Sequence, residues 1–208
     1  MLLPMAQAKD FTGHARDRGY VPGRGASPWA PGLKLPVTPD RDHMRGPLDA
    51  PLTLLEYGDY QCPYCGMAYV IVEDVIAQMG DQMRFVFRHF PLVDLHPQAE
   101  RAAEAAEAAG AQGKFWNMHH MLFQNQESLS DPFLLGYAQA VGLDLARFTD
   151  DLATGIYRRK VAEDFISGVN SGVNGTPTFF INDVKHEGPW DAASLLAALQ
   201  SVATRMHP

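Results

Sequence analysis

Apolar and polar positions alternate along this chain with two different periods. Leu52 to Tyr57 (LTLLEY) is a short, almost continuous apolar run, the pattern of a buried strand. Met67 to Met79 (MAYVIVEDVIAQM) spaces its apolar residues as a helix does, and Gly80 supplies the stop. Met83 to Phe90 (MRFVFRHF) alternates aromatic or aliphatic residues with polar ones, which predicts a second strand. Strand, helix and strand in this order predict a βαβ unit with parallel strands and a right-handed crossover.

From about residue 97 to 171 the pattern is helical. QAERAAEAAEAA at 98–109 is alanine-rich, and its glutamates and arginine are expected to share a solvated face. KFWNMHHMLFQ at 114–124, a segment after Asp131-Pro132 and one from Ala153 to Val169 add further helices. Strand character returns at 178–182 (TFFIN) and 184–187, and an amphipathic helix carrying Ala193, Leu195, Leu196, Leu199 and Val202 closes the chain. The order is βαβ, then about five helices, then ββα, so an α/β fold with an inserted helical subdomain is expected. Tyr57, Phe85, Phe87, Phe90, Phe115, Trp116, Phe179 and Phe180 read as core.

Composition changes the picture in the first 50 residues. They hold 7 of the 15 prolines and 6 of the 18 glycines, with 7 basic and 5 acidic residues, whereas the whole chain of 208 carries a net charge of -7. Such a stretch sustains neither helix nor central strand, so residues 1–50 are expected to form an extended or partly disordered Pro/Gly-rich arm ahead of a domain at 51–208. Tyr20 and Trp29 give that arm two possible contacts for a docking partner. The acidic balance argues against a nucleic-acid surface, and no apolar run is long enough to span a membrane. The opening MLLPMAQAKD has no basic region and only a short apolar run broken by Pro4, which leads to a cytoplasmic expectation, with export left open should the true start lie elsewhere.

The chain has two cysteines, in Cys62-Pro63-Tyr64-Cys65, between the first strand and the first helix. Zinc would require two further ligands, and no second Cys-x-x-Cys or Cys-His pair is present. Redox chemistry fits better, because a helix N-terminus offers unpaired N–H groups and a partial positive charge to a sulfur at the N-cap. Pro63 at the first helical position loses no hydrogen bond. A thiolate is the nucleophile in disulfide exchange, so Cys62 is the expected attacking sulfur and Cys65, one turn on, the resolving one. Tyr60 and Tyr64 are expected at the rim beside the sulfurs, His119 and His120 on helix surfaces, and Asp59 and Gln61 flank the site. His96, before Pro97, is expected to initiate a helix.

Gly175-Thr176-Pro177-Thr178 sets a proline at the threshold of a strand. Taken together, LLEYGDYQCPYC at 54–65, RFVFRHFPL at 84–92, the alanine-rich helix followed by QGKFWNMHHMLF at 112–123, and GVNGTPTFFIN at 172–182 resemble the DsbA-like branch of the thioredoxin superfamily over residues 37–205. The long helical insertion separates this likeness from glutaredoxins and plain thioredoxins. Within the branch the chain is most similar to bacterial DsbA-like domains that occur alone or fused to transport proteins.

The resemblance implies a thioredoxin fold and a protein thiol–disulfide oxidoreductase, with Cys62 as nucleophile, Cys65 as resolving cysteine and Thr176–Pro177 as a cis-proline loop. Extended polypeptides would pair with the Thr176 backbone, near Pro63 and Tyr64. Glu56 stands where the superfamily often buries an acid beneath the disulfide, as a proton acceptor for Cys65; the alternative is an ordinary interface glutamate. No metal or organic cofactor is implied, since the cysteine pair carries the redox equivalent. Partners would be polypeptide thiols or disulfides and an unidentified redox partner. DsbA-like oxidants are typically exported, so the direction of electron flow stays open. A glutathione-linked reductase or isomerase, and a non-catalytic interaction module, remain as alternatives on the same fold.

Overall fold

Strand β2 (Leu52–Gly58) is buried from end to end, because it has a neighbour on each side and helices over each face. The computed structural model describes residues 32–206. The earlier part of the arm, with Tyr20 and Trp29, lies outside the described residues. With β1 (His43–Arg45), β3 (Met83–His89), β4 (Thr178–Ile181) and β5 (Val184–Lys185), β2 forms a sheet of order β1-β3-β2-β4-β5. β2 and β3 are parallel and every other pair is antiparallel. Between β4 and β5, Asn182 and Asp183 take φ of 44° and 68°, the left-handed conformation that a two-residue hairpin turn needs.

The helices are α1 (Pro63–Met79), α2 (Ala99–Gly110), α3 (Phe115–Gln124), α4 (Asp131–Ala140), α5 (Leu145–Thr154), α6 (Arg158–Asn170) and α7 (Ala192–Met206). One sheet face, carrying Leu52, Leu54, Phe85, Phe87, Phe179 and Ile181, packs on Ala68, Val72 and Val75 of α1, Leu195 and Leu199 of α7, and the inner faces of α2 and α3. The opposite face, with Leu55, Tyr57, Val86 and Phe180, is covered by Phe90, Val173 and Phe165 of α6. Of the aromatic residues read as core, Trp116 is only half-buried, its indole N–H donating to the Met44 carbonyl at 3.1 Å.

Two expectations change. The helical segment read over 153–169 holds the last two residues of α5 and most of α6, because Gly155 adopts φ +62° and ends α5, while Asp144 starts α5 by accepting from the Arg147 N–H. The glutamates of α2 do not share a solvated face: Glu104 and Glu107 are buried. The alanine surface lets α2 be packed on several sides, so these carboxylates meet cations and imidazoles rather than water. Glu107 accepts from His89 Nε2 at 2.8 Å and from His43 Nε2 at 3.0 Å, and Glu104 pairs with Arg158 and Arg101.

The composition shift near residue 50 is not the edge of the sheet, since β1 lies inside the stretch read as an arm. Arg88 of β3, with a fully buried side chain, holds that stretch down. It donates to the Leu35 and Pro36 carbonyls at 2.8 and 3.0 Å and grips Asp42 through two nitrogens at 2.8 and 3.0 Å. No helix among the described residues is long and apolar enough to cross a membrane.

Burial pushes the Asp42 carboxyl up, but hydrogen bonding and charge from Arg88 outweigh it and hold the group below the usual carboxylate range. A depressed folded-state pKa gives stability that is complete above about pH 4 and is lost as pH falls through the folded value. Asp42→Ala should lower unfolding free energy by about 3–5 kcal/mol at pH 7, because it strands a buried guanidinium. The gap from wild type should narrow below about pH 4. Urea unfolding measures this, and a loss under about 1 kcal/mol at pH 7 contradicts it.

Candidate active site at the start of helix α1

The turn Asp59–Gln61 leaves the C-terminal end of β2 and delivers Cys62 to the N-cap of α1, with φ -72° and ψ 122°. Pro63 opens the helix, and Gly66 N–H closes the first turn on the Cys62 carbonyl at 3.1 Å. Cys62 Sγ lies 3.5 Å from the Thr176 carbonyl oxygen, next to the cis Thr176–Pro177 peptide bond. Both cysteines are free thiols, and Cys65 is fully buried with the Asp59 N–H directed at its sulfur at 3.4 Å. Pro63 and Tyr64 are exposed beside them.

These surroundings drive the two thiols apart. The Cys65 thiol donates to Cys62 and is the largest influence bringing Cys62 down to about 5. Partial burial opposes that shift, while the nearby Thr176 side chain and the N–H groups of Cys65 and Tyr64 reinforce it. Burial, the same Cys65–Cys62 hydrogen bond and the nearby negative charges push Cys65 well above the ordinary thiol value.

Glu56 faces α1 from β2, between Phe87 of β3 and Phe179 of β4. It is 2% exposed, and its Oε1 has no hydrogen-bond partner among the described residues. Burial, helped by the charge on Cys62, raises its pKa to about 8. An isolated buried carboxyl of this kind holds a proton at neutral pH and releases it when the local charge changes.

The loop ahead of Cys62 is tied from three directions. Asp59 Oδ1 accepts from Gln61 N–H at 2.7 Å and Cys62 N–H at 3.2 Å, and its Oδ2 accepts from Leu92 N–H and the His96 ring, both at 2.8 Å. His96 therefore braces the site from three residues before α2 starts. Gln61 Oε1 accepts from the Gln98 N–H at 2.8 Å at the start of α2. Gln126, just past α3, donates to the carbonyls of Tyr60 and Cys62 at 3.0 and 2.8 Å. Gly66 makes room for it, since a Cβ there would collide with the Gln126 carboxamide. A glycine inside a helix gives up about 0.5–1 kcal/mol relative to alanine, so close approach of Gln126 explains a residue that propensity disfavours.

Tyr60 is not at the rim. It is 1% exposed, its ring packed against Phe87 and Phe123, and its hydroxyl bonds His119 Nδ1 at 3.0 Å. His119 is correspondingly buried, not on a helix surface, and burial holds it neutral by lowering its pKa well below the usual imidazole value. His120 is exposed and bonds Tyr69. The alternation that marks helix faces cannot assign a histidine to water when the neighbouring loop brings a phenol to it.

Among the described residues, His89, Glu107 and Asp164 bring ligating atoms within 4.8 Å of one another. Lys160 Nζ already sits 2.7 Å from Asp164 and 3.7 Å from Glu107, and Arg41 pairs with Asp164, so the cluster reads as an ion network joining β3, α2, α6 and the segment before β1.

A family model described as thioredoxin matches residues 38–201. Among curated proteins, a Na(+)/H(+) antiporter NhaA 1 of Salinispora arenicola is 48% identical over 178 residues, covering 85% of this chain and 27% of the antiporter. A Na(+)/H(+) antiporter NhaA 3 of Salinispora tropica is 46% identical over 186 residues, 88% of this chain and 28% of its own length. The chain thus spans about a quarter of the length of the curated relatives it matches. Among solved structures, a thioredoxin-like oxidoreductase from Silicibacter pomeroyi superposes with a TM-score of 0.71 at 27% identity, covering 79% of this chain and 93% of that one. BdbD from Bacillus subtilis gives 0.70 at 23% over 78% and 92%, a likeness of fold. The α-DsbA1 of Wolbachia pipientis gives 0.71 at 23% over 83% and 95%, again a likeness of fold.

The raised pKa of Glu56 means that its contribution to stability is complete below about pH 4.3 and is lost as pH rises through about 8. Glu56→Gln should therefore gain on wild type, by on the order of 4 kcal/mol between pH 5 and 9 in urea unfolding of the reduced protein. A difference that stays constant over that range contradicts a buried, protonated Glu56.

Proposed function

Because the chain belongs to the thioredoxin family, we propose that it is a thiol–disulfide oxidoreductase that exchanges disulfides with polypeptide substrates. The single observation that carries this reading is Cys62 at the N-cap of α1 beside the cis Thr176–Pro177 bond, with a fully buried Cys65 one turn on, surroundings that push Cys62 down to about 5 and Cys65 well above the ordinary value. Two titratable groups pushed apart by their environment divide the roles of nucleophile and proton-bearing partner.

In the reducing direction the Cys62 thiolate attacks one sulfur of a substrate disulfide. A mixed disulfide forms and the other substrate sulfur leaves as a thiolate. Glu56, relieved of the Cys62 charge, releases its proton to solvent and takes up that of Cys65, which attacks Cys62 Sγ, expels the second substrate thiolate and leaves Cys62 and Cys65 joined. Two electrons have moved from the cysteine pair to the substrate. The oxidising direction is the same sequence reversed.

Glu56 suits this role because its pKa depends on the step. The negative charge on Cys62 helps to raise it, and that charge disappears when Cys62 enters a mixed disulfide. The carboxyl becomes easier to ionise at the stage when Cys65 must lose its proton. The reaction calls for no metal or organic cofactor. The Thr176 backbone, the Pro177 loop and exposed Pro63 and Tyr64 form the face on which an extended substrate would lie beside Cys62.

Stabilising the thiolate stabilises the reduced form, which makes the pair more oxidising. A Cys62 pKa of about 5 corresponds at pH 7 to at most about 2–3 kcal/mol before solvent screening, or about 60 mV. This favours a disulfide donor to polypeptide thiols.

Cys62→Ser should abolish oxidation of a reduced, unfolded test protein, with a rate loss of about 10³-fold or more. Cys65→Ser should accumulate a mixed disulfide between Cys62 and that protein, visible on a non-reducing gel. Full activity of Cys65→Ser that depends on glutathione would instead support a glutathione-linked enzyme. Absence of any mixed disulfide would support a non-catalytic module.

A further inference from the structure

The helical insertion reaches the nucleophile at one point. Gln126 follows α3, and its side-chain amide places one N–H on the Tyr60 carbonyl and the other on the Cys62 carbonyl. Both donors are thus spent on the backbone immediately before α1. The Cys62 carbonyl is also the acceptor of the first helical bond, from Gly66 N–H at 3.1 Å. Whatever fixes this carbonyl fixes the orientation of the peptide planes after it, and the Tyr64 and Cys65 N–H groups of that turn face Cys62 Sγ.

A second observation points the same way. Gly66 lies in the interior of α1, where alanine would be the better helix former, and the space its side chain would occupy is taken by the Gln126 carboxamide. The absent side chain and the two-hydrogen donor fit each other. Asp59 and Gln61 hold the loop through its amide nitrogens and towards the β3–α2 connection, so Gln126 is the tie to the carbonyls of the helix start among the described residues.

We propose that Gln126 is a positioning residue for the thiol chemistry, holding the first turn of α1 so that its free N–H groups stay aimed at Cys62 Sγ, with Gly66 as the clearance that admits it. The inference rests on the reading of Cys62 as the nucleophile. It gives the inserted helices a direct part in the reactivity of a sulfur that belongs to the thioredoxin core.

The test is the pH profile of Cys62 alkylation by iodoacetamide in the reduced, full-length protein. Gln126→Met keeps the side-chain length and removes both donors. Gly66→Ala leaves Gln126 unchanged and displaces it, and alanine favours the helix, so this variant separates loss of position from loss of folding. In both, alkylation at pH 5.5 relative to pH 9 should fall about 1.5- to 3-fold, equivalent to a rise of half to one pH unit from about 5. The double variant should show no more than the larger single effect, because both substitutions break the same contact. A ratio unchanged from wild type in either variant, or a rate lowered equally at all pH values, overturns the role of Gln126. A wild-type profile that itself rises only near pH 8–9 takes down the thiolate reading and this inference together.

Discussion

A sulfur anion at the tip of a helix is a largely enclosed charge, and it survives there only if enough donors replace the water it has lost. Cys62 is 3% exposed. Its replacements are the Cys65 thiol and two N–H groups that the first turn of α1 leaves without helical partners. The same placement disfavours ionisation of Cys65, which donates to Cys62 and feels its charge. Glu56 beneath them completes the arrangement. The enclosed space holds one negative charge more readily than two, so charge on the sulfur and charge on the carboxyl exclude each other.

The rest of the fold can be understood as what holds that arrangement still. Parallel β2 and β3 end together, so the turn after Gly58 and the connection after His89 start side by side, and Asp59 bridges them through Leu92 and His96. α2 begins against Gln61, and the end of α3 supplies Gln126. Below the loop, Tyr60 fills a pocket of aromatic rings and bonds a neutral His119, so the polypeptide just before Cys62 has little freedom. Arg88 and Asp42 do comparable service on the opposite sheet face, pinning the segment that leads into β1.

Much of this could be read from the chain in advance, for identifiable reasons. The βαβ unit, the helical block and the final hairpin and helix carry strong periodic patterns, and Cys-Pro-Tyr-Cys at a strand–helix junction places both sulfurs without further information. What escaped were features decided by partners distant in sequence. β1 is three residues long and exists because β3 offers it an edge. Glu107 lies in a stretch that looks solvated until two histidines from other strands meet it. Tyr60 looks like a rim residue until α3 supplies its hydrogen-bond partner, His119. Gln126 has no local signature, although Gly66 in a helix interior marks the place where something must come close.

The most direct measurement is a site-resolved NMR titration of the reduced protein with ¹³Cβ-labelled cysteine. The account predicts that the Cys62 resonance moves with a midpoint near 5 and that Cys65 does not titrate below about pH 9. Two cysteines titrating together at the ordinary thiol value of about 8.5 would contradict it.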